Sequence, residues 1–239
     1  MEARIDQRTA DMLRPVSIVR RYTKYAPGSV LISFGDTRVL CTATSLNKLP
    51  LWLRGQGKGW VTAEYAMLPS STHSRISRDN AQRGRSQEIS RLIGRSLRAV
   101  TDLNALGEHM IQVDCDVLQA DGGTRSAAIT GAWIALHDAL SSLVSEGVCE
   151  TRPLLGACAA VSVGLVEERL LLDLCYPEDE AARADVNMVM DDQLRLIEIQ
   201  ATAEGTPFPQ ESLQQMLALG EKGIRQLLAY QQEALTCED

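Results

Sequence analysis

Three stretches of this 239-residue chain carry residue types that could handle a phosphate group. The first is Gln119-Ala120-Asp121-Gly122-Gly123-Thr124-Arg125-Ser126. Two adjacent glycines let the backbone turn sharply, Thr124 or Ser126 can cap a helix start, and first-turn N–H groups with the positive end of the helix dipole then face an anion. Arg125 adds a planar cationic fork. Two readings stay open: a phosphate site, or a capped strand-to-helix turn with an incidental arginine. The second stretch runs from Asp173 to Asn187, with acids at 173, 178, 179, 180 and 185. Hard oxygen ligands in that density suit Mg²⁺. Six residues of extended chain would hold Asp179 and Asp185 roughly 20 Å apart, so a turn must fold them together before they share an ion. An acidic surface loop is the alternative. The third stretch holds seven arginines (75, 78, 83, 85, 91, 95 and 98) against Asp79 and Glu88, with His73 beside it. On a chain of net charge -7 such a belt suggests a polyanion met at one place. A phosphate cradle, an arginine-rich arm and an acid cluster are together the parts of a phosphoryl or nucleotidyl transfer.

These residues need elements to position them. Ile111, Val113, Cys115 and Val117 alternate with polar residues, the period of a half-buried strand entering the glycine turn. The helix leaving it, from Ala127 to Leu143, is apolar all round and rich in small residues, so it should be buried centrally. Val30 to Phe34 and Val39 to Ala43 flank Gly35-Asp36-Thr37 as a hairpin. Gly55-Gln56-Gly57-Lys58-Gly59 has no strand before it and a strand, Val61 to Leu68, after it, which excludes a nucleotide loop. Residues 70–84 read as a polar loop. A helix then starts at Arg85 or Ser86, with Ile89, Leu92, Ile93, Leu97 and Val100 on one face and Arg91, Arg95 and Arg98 opposite, as a solvated face or a subunit contact. Arg85 stands at the helix start, where a cation is disfavoured unless it shares an anion with the dipole.

Further strand pairs are predicted over Ala159 to Val166 with Leu170 to Tyr176, and over Val186 to Met190 with Leu194 to Gln200. A long amphipathic helix begins near Pro209, where Gly220 and Gly223 allow a neighbour close. Strands, helix, strand, helix, strands, helix is an order that suits two β-rich halves, each backed by a helix, in a single α+β domain over residues 1–239.

No run of 18 apolar residues occurs and the N-terminus lacks a signal-peptide core, so the expectation is a cytoplasmic protein with no membrane contact. The six cysteines contain no CxxC and the three histidines are scattered, which favours buried reduced thiols over disulfides or a zinc site.

The run Asp114 to Arg125, together with Gly84-Arg85-Ser86-Gln87-Glu88-Ile89 and Glu198 to Phe208, resembles the bacterial ribonuclease PH family. The likeness extends from Leu13-Arg14-Pro15-Val16 through Phe34-Gly35-Asp36-Thr37 and Gly55 to Trp60, and on to the final helix. It implies the ribosomal-protein-S5 domain-2-like fold. It also implies a phosphorolytic 3′ to 5′ exoribonuclease that uses inorganic phosphate to trim tRNA precursors and other RNA 3′ ends, in a homohexamer built as a trimer of dimers. By that likeness Arg85, Gly123, Thr124 and Arg125 would bind phosphate. Asp179 and Asp185 would hold Mg²⁺ or assist proton transfer, and Arg75 and Arg78 would touch RNA. Ser70 departs from the family pattern where arginine is common, and the loop before Arg85 is shorter. Gln7 and Ala201 stand where glycine is common. Cys175 replaces an acid, leaving Asp173, Asp179 and Asp185 as the candidates. The rival readings are a catalytically silent RNA-binding ring subunit, against which the joint presence of Arg85, Thr124, Arg125, Asp179 and Asp185 speaks, and a small-molecule kinase, for which an ATP loop is lacking.

Overall fold

A computed structural model describes residues 4–46, 48–78 and 84–237; Asp79 and Arg83 of the basic belt lie outside them. The strand periodicities build two sheets. The first contains β1 (Val16–Arg20), β2 (Gly28–Phe34), β3 (Thr37–Leu46), β4 (Trp60–Met67) and β5 (Met110–Gln119), in the order β1-β2-β3-β5-β4. All neighbours are antiparallel except β4 and β5. That parallel pair needs a crossover, and α1 (Gly84–Ala99) supplies it. The second sheet contains β6 (Cys158–Val166), β7 (Arg169–Leu172), β8 (Ala182–Asp191) and β9 (Leu196–Ala203), antiparallel in the order β7-β6-β8-β9.

Between β5 and β6 runs α2 (Thr124–Ser145), whose apolar circumference is explained by its neighbours: it packs on β2 and β3 of one sheet and on β6 of the other. Its approach is close, since a Cβ on Gly28 would fall 1.8 Å from the Ala135 carbonyl oxygen. One hydrophobic cluster therefore runs through both sheets, from Ile32 and Val39 through Ile129 and Leu136 to Val161 and Val186. By length and composition α2 could cross a membrane, but 72% of its most apolar window is buried inside the fold. The final helix, α4 (Gln210–Thr236), covers β6 and β8; Gly220 meets Met188 and Gly223 meets Leu172, as its two glycines suggested.

Several expectations are corrected. Strand β7 ends at Leu172 instead of Tyr176, because Asp173 takes a left-handed φ of +53° that breaks the strand. Beyond it the acid-rich segment forms a short helix, α3 (Tyr176–Ala181), with Pro177 in its first turn. Strand β8 then starts at Ala182, four residues early. Arg98 is not on a solvated face: its Nη1 donates to the Val61 carbonyl at 2.7 Å and its guanidinium lies 4.3 Å from the Trp60 ring centre. Arg95 pairs with Glu198 at 2.6 Å, and Arg91 is exposed. Five cysteines are buried and free, whereas Cys237 is free but exposed. Gln7 adopts φ +65°, a conformation that accounts for glycine being common there.

Candidate active site

The glycine turn between β5 and α2 is held from behind. Asp121 N–H donates to Thr37 Oγ1 at 2.9 Å, and that hydroxyl donates to the Gly122 carbonyl at 2.6 Å. Arg14 Nη1 donates to the Asp121 carbonyl at 2.5 Å. With the turn's carbonyls drawn backward, the first-turn N–H groups of α2, which have no intrahelical acceptor, point the other way. Gly122 and Gly123 both have positive φ, 75° and 63°. Neither tolerates a Cβ: at Gly122 it would lie 2.6 Å from the Leu174 carbonyl oxygen, and at Gly123 2.7 Å from Arg14 Nη2. The cap of α2 is Gly123 itself, with no side-chain hydrogen bond, so Thr124 and Ser126 do not cap. The Thr124 hydroxyl instead accepts from Tyr65 at 2.8 Å, and the buried Ser126 hydroxyl has no partner among the described residues. Thr124 is thereby oriented with its own O–H left to donate.

Arg125 donates to the neutral amide oxygen of Gln200 at 2.8 Å, and no salt bridge joins it among the described residues. Gln200 is fixed in turn by donating to Glu88 at 3.4 Å. Arg85, exposed in the first turn of α1, reaches the same region: its charge acts on both Tyr65 and Asp179. Burial nonetheless raises the Tyr65 phenol above its ordinary value, against the pull of Arg85 and Arg125.

The turn that brings the two acids together is α3 followed directly by β8. Asp179 is accessible to solvent, and partial desolvation of its carboxyl raises its pKa against the pull of Arg125, Arg85 and Arg14. Asp185 is half-buried; burial raises its pKa first and the negative charge of Asp179 second, while Arg125 opposes both. Asn187 Nδ2 donates to Asp185 at 2.8 Å and orients it. The two carboxylates thus feel each other and share Arg125, which brings Arg85, Gly123, Thr124, Arg125, Asp179 and Asp185 into one cleft.

Asp173 is not a further candidate. It is wholly buried and its two oxygens bind Arg14 at 2.7 and 3.0 Å. Around it lies an ionic cluster in which Arg4 pairs with Glu178 at 2.5 Å and Arg8 approaches Asp173 at 3.6 Å. Among the described residues no group of three or more His, Cys, Asp or Glu could hold a metal. Asp179 and Asp185 remain as two hard carboxylates. That set suits Mg²⁺, which takes one or two carboxylates and completes its shell with water and substrate phosphate.

Arg75 and Arg78 are exposed on the arm. The base of the arm is tied to the site, since Ala120 N–H donates to the Ser71 carbonyl at 2.8 Å and the His73 ring lies 6.0 Å from that of Tyr176. Arg14, Thr37, Tyr65 and Gln200 were not foreseen as part of the site. Tyr65 reads only as one more alternating strand residue, and Arg14 only as part of the family-like Leu13-Arg14-Pro15 run.

Chemically, the cleft presents N–H groups, a hydroxyl and two guanidinium groups that have no carboxylate partner among the described residues, with two carboxylates of raised proton affinity beside them. That arrangement fits phosphate chemistry.

Comparison with known proteins bears on this geometry. Structurally, the chain is similar to rice (Oryza sativa) Rrp46, with a TM-score of 0.77 at 18% identity over 98% of this chain and 100% of that one. It is also similar to a chain of the Archaeoglobus fulgidus exosome with RNA bound to the active site, with a TM-score of 0.80 at 21% identity over 95% and 92%. A chain of an archaeal exosome core matches with a TM-score of 0.77 at 20% identity over 96% and 91%. These likenesses show the fold. The ribonuclease PH family models match in sequence, domain 1 of the 3′ exoribonuclease family over residues 12–141 and domain 2 over residues 156–223. The two sheets with their helices are accordingly the α+β, ribosomal-protein-S5 domain-2-like fold, and the chain belongs to the 3′ exoribonuclease (ribonuclease PH) family.

Proposed function

We propose that the protein is a phosphorolytic 3′ to 5′ exoribonuclease of the bacterial ribonuclease PH kind, trimming 3′-terminal nucleotides from tRNA precursors in the cytoplasm. The observation that carries this reading is the meeting of two cations, Arg85 and Arg125, that form no salt bridge among the described residues, with Asp179 and Asp185 in one cleft.

Inorganic phosphate sits on the N–H groups of Gly123 and the first turn of α2, with Thr124, Arg125 and Arg85 around it. One phosphate oxygen attacks the phosphorus of the terminal phosphodiester. The P–O3′ bond breaks, the new P–O–P bond makes a nucleoside 5′-diphosphate, and the departing O3′ takes a proton to become the hydroxyl of the shortened RNA. Asp185, whose burial favours its protonated form, holds that proton at O3′, and Asp179 tunes it through its charge. In the alternative role, with both carboxylates ionised, Asp179 and Asp185 would hold Mg²⁺, which would offset negative charge on the phosphate oxygens. The arm with Arg75 and Arg78 holds the RNA backbone. Exposed Arg91 and the Arg95–Glu198 pair suit subunit contacts in a homohexameric ring, a trimer of dimers.

The test is an RNA incubation with and without phosphate. Nucleoside diphosphate released only with phosphate supports the reading. Monophosphate released without phosphate would make the protein a hydrolase, and RNA binding with no release in either case would make it a silent ring subunit.

A further inference from the structure

The anion turn belongs to the first sheet and Asp179 to the second, yet one buried side chain binds both. Arg14 is 3% exposed and precedes β1. Its guanidinium donates to the Asp121 carbonyl at 2.5 Å and to the Gly122 carbonyl at 3.4 Å. The same group donates to both oxygens of Asp173, and the Arg14 backbone N–H adds a third bond to that carboxylate at 2.8 Å. Asp173 stands two residues before Cys175, the residue that caps α3. The two regions also touch directly, since Tyr176 N–H donates to Asp121 Oδ1 at 3.2 Å and the Gly122 turn lies against the Leu174 carbonyl.

We propose that Arg14 and Asp173 are a positioning pair that sets the spacing between bound phosphate and the acid helix carrying Asp179. This rests on the phosphorolytic reading of the cleft. A buried ion pair is a poor device for stability alone, because an apolar pair of similar volume is often as stable or more so. What an apolar pair cannot do is hold two carbonyls of one loop and the carboxylate of another in a fixed plane, which the guanidinium fork does. Reaction geometry is sensitive on that scale: a displacement of about 1 Å costs on the order of 100-fold in rate.

The experiment compares the full-length wild type with Arg14→Lys, the double variant Arg14→Met with Asp173→Asn, and Arg20→Lys. Arg20 is the control, because it makes the same fork away from the cleft, to Asp138 at 2.7 and 3.0 Å and to the Ala234 carbonyl at 3.1 Å. The double variant leaves no buried charge unpaired, and Asn tolerates the left-handed backbone at position 173, so the fold is kept. Thermal melts, kcat, KM for phosphate, KM for RNA, and calorimetric titration with inorganic phosphate are measured on each. Both Arg14 variants should lose on the order of ten- to 100-fold in kcat and bind phosphate several-fold more weakly, with KM for RNA unchanged. Arg20→Lys should melt lower but keep its kinetic constants and phosphate affinity. Wild-type phosphate binding without diphosphate release would sink the phosphorolytic reading, while weakened phosphate binding in the Arg14 variants would still uphold the pair's hold on the cradle. Arg14 variants that bind phosphate like the wild type, or that change no more than Arg20→Lys does, would overturn the positioning role.

Discussion

The arginines on the two sides of the glycine turn are used in opposite ways. Behind it Arg14 is neutralised by Asp173, and Arg4 is neutralised by Glu178. In front of it Arg125 donates to the amide of Gln200 and has no salt bridge among the described residues, and Arg85 is exposed. The acids divide in the same manner. Asp173 is held by guanidinium groups, while Asp179 and Asp185 have raised pKa values. A paired charge holds structure in place, whereas a charge lacking a direct partner remains available to a ligand. In this fold the candidate site residues differ from the structural ones by the partner they lack among the described residues as much as by their type.

Four variants break or sharpen this contrast. The largest effect is expected from Asp185→Asn, which removes the proton-holding group: turnover should fall by about 10²–10⁴-fold with RNA affinity retained. Loss of RNA binding instead would give Asp185 a structural role. The same variant tests the raised pKa. Because the folded carboxylate binds its proton more readily than the unfolded one, its ionised form weakens the fold above the unfolded pKa, and that penalty is relieved as pH falls through the folded pKa. Asp185→Asn should therefore melt higher than wild type at pH 7, with the gap closing on acidification.

Next, Arg125→Ala should lose about 1.5–3 kcal/mol, or roughly ten- to 150-fold in kcat/KM for phosphate, the scale of a charge-assisted hydrogen bond. An unchanged phosphate dependence would remove Arg125 from the cradle. Gln200→Glu is subtler, since it gives Arg125 the kind of partner Arg14 has; KM for phosphate should rise about two- to five-fold, the worth of an exposed ion pair. No change there would show that the free charge of Arg125 is not what phosphate meets. Smallest per residue is the arm. With roughly three to five phosphates contacted, the log–log salt slope for single-stranded RNA should be about -2 to -3.5, and Arg75→Ala with Arg78→Ala should make it shallower by about 1.4. A slope unaffected by the double change would exclude the arm as an RNA contact.

Much of the site was legible where chemistry is local. The change of period around Gly122-Gly123 marks strand, turn and helix, and each glycine proves to be sterically required. The acid segment was less legible. Its density of carboxylates gives no sign that Asp173 faces inward to Arg14, 159 residues away, or that a short helix follows. Which of several acids is paired is a property of long-range packing, and no period in a single sequence encodes it. Arg98 failed for the same reason: its position on a helical wheel is right, but a long side chain can fold back on to Trp60. Resemblance pointed to Asp179 and Asp185; the fold shows what brings them near each other, a six-residue helix running straight into β8.

The bond between Arg14 and Asp173 also fixes an order in time. Arg14 leaves the ribosome 159 residues before its partner, an interval of roughly 8–32 s at ordinary synthesis rates. The helix bearing Asp179 and the strand bearing Asp185 follow later still. A growing chain can finish its first sheet and the glycine turn before either Asp179 or Asp185 has been made. The two sides of the candidate site can therefore meet only once the second sheet is being made.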